Sequence, residues 1–249
     1  MLVAGGVVGV FSYLSGIVPL LALGLGVFLL GVMVLFLPES TSFRADRLAS
    51  LSSFPSIMND EALIEDLDVT THGIYIPVTG FGAVPKVYVP MLDSDTGPYP
   101  PTRLASSNRL FVVVGMNPRD RGILMNAPGG EILTAIENCL QLDLATLDPD
   151  HLAARLEAGL DMLAISKHTS LQVAGDMVTV DMDLVAFLEL EEKLRGRAPR
   201  VVDQVGTPLA SAIAAAVCKC RKKYVRLSGS SLEGSRLRVR LTVLGVELK

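Results

Sequence analysis

Cys218-Lys219-Cys220 is the one closely spaced cysteine pair in the chain, and with His72, His151 and His168 it raises the question of a metal centre. Structural zinc takes four ligands, commonly from two paired elements such as C-x-x-C. No second pair exists, and on a helix the C-x-C spacing turns its two thiols about 200° apart. Cys220 falls on an apolar stripe and reads as a small core residue. The expectation is no metal and no cofactor. Nucleophilic chemistry finds no better footing: there is no G-x-S-x-G, no S-x-x-K and no cysteine with an evident histidine partner. The carboxylate runs at 60–68 and 189–192 read as solvated helix faces, so no residue is assigned a catalytic role.

Two polar features stand as candidate binding sites. Gly129 and Gly130, in Ala127-Pro128-Gly129-Gly130-Glu131, follow a strand and open a helix, where exposed N–H groups could hold an anion. Glu131 already supplies negative charge there, so a plain strand-to-helix turn accounts for the same residues. The second feature is a basic cluster, Lys219, Arg221, Lys222, Lys223 and Arg226 with Arg236, Arg238 and Arg240, a candidate interaction surface. Only Tyr224 interleaves with these charges, which argues against single-stranded nucleic acid as the partner. Ion pairing within the fold or between copies is the leading account, and anionic lipid heads are another.

The elements that must carry these residues divide sharply. From Leu2 to Pro38 the chain has no charged side chain, and from Glu39 it is an ordinary polar mixture. A bilayer core needs roughly 20 apolar residues per helix, so this run is too long for one upright span. A breaker cluster at Ser12, Ser15, Gly16 and Pro19 suggests a helical hairpin; one span over 17–37 behind an apolar arm is the alternative. Gly5, Gly9, Ala22 and Gly26 have the small-xxx-small spacing that lets membrane helices approach. Arg44 and Arg47 after the last span favour a cell-membrane protein whose soluble part is cytoplasmic.

Residues 39–56 read as a Ser-rich juxtamembrane linker, 57–127 as a β-rich subdomain and 128–249 as an α+β subdomain. In the second, Asn59 looks like the N-cap of a short acidic helix, and GIYIPV (73–78) and KVYVPM (86–91) form a hairpin around TGFGAVP. The third uses one order of elements twice, with a period near 59 residues: helix, helix, strand, turn, strand. The fold class is therefore α+β, with a mainly antiparallel sheet, helices on one face and a possible duplicated ααββ unit. In the last strand of each unit the alternation is clean. Val178, Val180, Met182 and Leu184 oppose Thr179, Asp181 and Asp183; Leu237, Val239, Leu241 and Val243 oppose Arg236, Arg238 and Arg240. Residues 39–192 carry 9 basic and 23 acidic side chains, and 193–249 carry 13 and 3. The two parts are thus oppositely charged.

With GIYIPV and KVYVPM following an acidic helix and a double apolar segment, the chain resembles uncharacterised archaeal membrane-anchored proteins. These have an N-terminal membrane hairpin and a domain of unknown function. The resemblance extends to GTPLASAIAAAV, although a Cys-rich stretch of such proteins is replaced here by Gly206-Thr207-Pro208-Leu209. It implies an archaeal setting and no activity. The expected function is a non-enzymatic membrane-anchored assembly or scaffold subunit, with lipids and itself or other membrane proteins as partners. A membrane-tethered sensor or small-ligand module is the alternative.

Overall fold

Alternating side chains build the centre of the sheet. Val178, Val180 and Met182 on one strand and Leu237, Val239 and Leu241 on another all lie buried, while the residues between them face outward. These strands are β6 (Met177–Leu184) and β8 (Arg236–Glu247), and they pair antiparallel with Asp181 opposite Arg238 and Asp183 opposite Arg236. The computed structural model describes residues 41–91, 100–114 and 121–247, with side chains from Phe54 to Gly245 within those ranges. The membrane anchor expected at 1–38, with Gly5, Gly9, Ala22 and Gly26, lies outside the described residues.

The chain divides into two units, Met1–Ala45 and Asp46–Lys249. The second holds one sheet of eight described strands in the order β3-β4-β2-β1-β7-β8-β6-β5, every neighbouring pair antiparallel. The remaining strands are β1 (Ile74–Ile76), β2 (Lys86–Pro90), β3 (Phe111–Val113), β4 (Arg121–Asn126), β5 (Ser166–Ala174) and β7 (Lys223–Glu233). β1 pairs with both β2 and β7, so the strands of 57–127 extend the sheet made by 128–249 across the expected boundary. The helices are α1 (Thr41–Asp66), α2 (Gly130–Leu140), α3 (Leu152–Met162), α4 (Leu188–Arg197), α5 (Pro199–Gln204) and α6 (Pro208–Arg221). The order runs α2-α3-β5-β6 and then α4-α5-α6-β7-β8, so the second set has three helices where the expected repeat has two.

One face of the sheet carries the helices and the main core. Among the described residues the other is covered where Leu104 and Ala105 lie over Ile74, Ile76, Tyr88, Leu124 and Tyr224. Tyr224 donates to the Pro100 carbonyl at 2.6 Å, and Lys86 to the Ser107 carbonyl, which hold that segment down. Strands buried on both faces show continuous burial, as in Ile74–Ile76, whereas β6 alternates.

Three expectations change. Residues 41–56, read as a linker, belong to α1, and Asn59 sits inside that helix rather than capping it. The segment Ser228–Glu233, read as a turn, is strand, because β8 supplies a partner for each residue from Ser230 to Glu233 and the turn falls at Gly234-Ser235. Helix α6, expected to bury one side, is buried at every position from Pro208 to Cys220. Among the described residues, Pro199–Arg221 is the one stretch long and apolar enough to cross a membrane, yet 94% of its apolar window is enclosed by the fold. A helix apolar on all sides belongs at the centre of a core as readily as in a bilayer.

Small residues permit that enclosure. A Cβ on Gly129 would overlap the Pro208 carbonyl and the Ala212 backbone, so the start of α2 rests directly on the first turn of α6. Thr207 caps α6 by accepting from the Ala210 amide at 3.3 Å, and Pro208 occupies its first turn. Gly129→Ala is expected to lower stability by about 1–3 kcal/mol in chemical denaturation, the usual range for overpacking. Unchanged stability would mean the two helices do not meet this closely.

Candidate functional site

Lys219 stands alone as a charge within the apolar face-to-face packing of α6, and its ammonium is fully enclosed. It meets Glu137 of α2, also fully enclosed, at 2.7 Å to Oε1 and 2.9 Å to Oε2. It also donates to the carbonyls of Gly80 (2.7 Å) and Ala83 (3.2 Å) and lies 3.3 Å from Asp143 Oδ1. Glu137 accepts from the Gly82 amide at 3.0 Å and the Leu144 amide at 2.8 Å. A buried pair is tolerated only when its remaining donors and acceptors are satisfied, and here they are. The Gly80-Phe81-Gly82 loop, read from sequence as a plain hairpin turn, is thus bound into the interior.

Lys219 is therefore not part of a basic surface, which corrects its place in the expected cluster. Arg221, Lys223 and Arg226 are half-buried and Lys222 is exposed at the α6 C-terminus. Arg236, Arg238 and Arg240 are exposed along β8, opposite its buried Leu237, Val239 and Leu241. Arg238 Nε donates to Asp181 Oδ1 at 2.7 Å, and Arg236 Nε lies 3.9 Å from Asp183 Oδ1. The acidic row thus answers two of the three arginines, across the seam that the alternation predicts.

The cysteine pair behaves as its helical spacing requires. Cys218 Sγ turns toward the sheet and donates to the Tyr75 carbonyl at 3.4 Å, whereas Cys220 Sγ faces the Leu147 carbonyl at 3.5 Å. Burial pushes both thiols up, that of Cys220 to about 11. His72 bonds the Asp203 carbonyl, and His151 and His168 are exposed on separate elements. Among the described residues no group of three or more His, Cys, Asp or Glu side chains is arranged to hold a metal ion.

Gly129 and Gly130 sit beside an open cleft of about 600 Å³. Ser56, Ile57 and Asp60 of α1 form one wall; Glu131, Thr134, Ala135 and Asn138 of α2 form the other. Val84 and the segment from Asn126 to Pro128, at the end of β4, form its floor. Gly130 lines the cleft, but its amide already donates to the Ala127 carbonyl at 2.9 Å. Gly129 is occupied with α6. The Gly130 amide is therefore not available to an anion, and a Cβ on Gly130 would collide with Val84. Burial raises Asp60 to about 6. The cleft was not legible as such: its α1 wall comes from a helix whose Ser-rich first half carries no apolar period.

A second perturbed carboxyl lies at the α4 side. Burial raises Glu191 to about 7, against the opposing effects of a Thr207 hydrogen bond and of Arg195, 3.6 Å away. Arg195 reaches on to the Ser230 carbonyl at 3.0 Å. Glu61 of α1 accepts from the amides of Arg200 (3.1 Å) and Val201 (2.7 Å), capping α5 from a distance in sequence of 139 and 140 residues.

Together these features describe an α+β domain with helices stacked on one face of an antiparallel sheet. The chain belongs to the family described as a domain of unknown function (DUF7982), which its sequence matches over residues 2–243. No curated protein and no solved structure matches it.

Lys219→Met leaves Glu137 buried without its cation and is expected to cost about 3–5 kcal/mol in urea unfolding. Lys219→Met with Glu137→Gln should recover part of this, because glutamine still accepts from Gly82 and Leu144; a loss below about 1 kcal/mol in the single variant would contradict enclosure of the pair. For Glu191 the folded pKa lies above the unfolded one, so its contribution is fully present below about 4.5 and lost as pH rises through about 7. Denaturation midpoints across this range should fall in the parent and fall less in Glu191→Gln. Parallel curves would show that Glu191 stays solvated.

Proposed function

We propose that this chain is a non-enzymatic, membrane-tethered module that binds a small ligand in the cleft between α1 and α2. The cleft is the observation that carries the reading. Its volume, about 600 Å³, falls within the range of small-molecule sites, and it combines apolar walls with a few convergent polar groups. The tether is proposed from the charge-free run Leu2–Pro38, which precedes α1 in the chain. The cytoplasmic placement and the archaeal setting implied by the sequence resemblance belong to the same proposal.

An assembly or scaffold role, alone or within a larger membrane complex, has separate support. Leu110, Phe111 and Val113 are exposed in and just before β3, which among the described strands pairs with β4 alone. The opposite charges of the two halves support it less, since Asp181 and Asp183 already pair with arginines of the same chain.

The test uses the full chain in detergent and a thermal-shift screen of chemically mixed small fragments. Fragments that raise the melting temperature should lose their effect in Ala135→Trp, which fills the cleft. Hits that survive this change, or a screen with none, would remove the ligand-binding reading. In a lysate without detergent, the full chain should sediment with the membrane fraction and be released when detergent is added.

A further inference from the structure

We propose that the ligand of the α1–α2 cleft is a small organic cation, a primary amine or guanidinium on a short apolar body. This rests on the reading of the cleft as a binding site and adds its chemistry. The charged side chains lining the cleft, among the described residues, are both carboxylates; Ser56, Asn126 and Asn138 beside them are neutral. Asp60 and Glu131 bring carboxylates from opposite walls, and among the described residues neither takes part in a hydrogen bond or ion pair. The Thr134 hydroxyl donates its proton to the Gly130 carbonyl at 3.0 Å, so it presents lone pairs to the cleft. Gly130 N–H, at the helix start, is committed to the Ala127 carbonyl. Among the described residues no lysine or arginine lines the space. An anion would therefore face two carboxylates offset only by neutral donors, whereas a positively charged group rich in N–H donors would find a carboxylate on either side.

The form of the cation follows from the rest of the lining. Among the described residues no group of three or more His, Cys, Asp or Glu gathers here to hold a metal ion, and the apolar lining from Ile57, Val84 and Ala135 suits a hydrocarbon body. Quaternary ammonium groups are recognised by aromatic faces, and among the described residues no aromatic side chain lines this cleft. That leaves a cation that hydrogen-bonds. Burial of Asp60 without a described counter-charge, which raises its carboxyl to about 6, is the electrostatic condition a bound ammonium would relieve.

The experiment titrates the full chain in detergent with four probes of like size: butylamine, butylguanidine, butanol and butyrate. Calorimetry should detect the two cations and neither of the others. Asp60→Asn and Glu131→Gln, which keep shape, should each weaken butylamine by about tenfold. Taking the parent protein from about pH 7.5 to about pH 5 should weaken it similarly as Asp60 protonates, a readout independent of any variant. Butyrate or butanol binding as tightly as butylamine, in a manner lost in Ala135→Trp, would overturn the cation assignment and leave the cleft as a site. Unchanged butylamine affinity in both carboxylate variants would also overturn it. No binding by any probe, together with a blank fragment screen, would remove the site itself.

Discussion

A helix enclosed on every side must bring a counter-charge for any ion it carries, because an unpaired ammonium in an apolar interior is several kcal/mol too costly for a domain of ordinary stability. Lys219 of α6 meets that requirement through Glu137, Asp143 and two carbonyls of the β1–β2 loop. Those partners come from three separate stretches of chain. Their positions relative to α6 are consequently fixed by directed bonds, whereas apolar contacts alone would tolerate sliding. The same loop amide that Glu137 accepts, Gly82, lies two residues from Val84 on the floor of the cleft. The interior pair and the outer cleft thus share one loop.

The glycines at the start of α2 show how one local motif can serve packing where its pattern suggests binding. Gly129 is needed because the backbone of α6 passes where its side chain would be, and Gly130 because Val84 does. Neither reason involves an anion. With the helix start turned to structural use, the character of the cleft comes from side chains of the first three turns of α2 and from the middle of α1.

What could be read in advance depended on whether a residue's own neighbours in sequence determine its place. The period of two in 177–184 and 236–243 reveals strand, inward face and charged seam together, and the pairing of Asp181 with Arg238 follows. The cap and proline at Thr207-Pro208 mark the start of α6 equally well. Elsewhere the decisive partner is distant. Ser228–Glu233 has weak strand preference and becomes strand because β8 lies beside it. Residues 41–56 lack an apolar period and contain Ser and Pro55, which read as breakers, although they are helical. Lys219 sits in sequence among basic neighbours, yet a charge flanked by Ala216, Val217, Cys218 and Cys220 is a usable sign of burial. So is Glu137 beside Leu133, Ile136 and Leu140.

The seam between β6 and β8 joins the two hairpins β5–β6 and β7–β8 through their second strands, and its rows carry opposite signs. Laying β8 against another β8 would set guanidinium against guanidinium, and laying β6 against another β6 would oppose two lines of aspartate. Like charges facing across a ladder are unfavourable. Two hairpins of similar shape are thereby prevented from choosing their own kind, so the correct neighbour is selected by repulsion from the wrong one as much as by attraction to the right one.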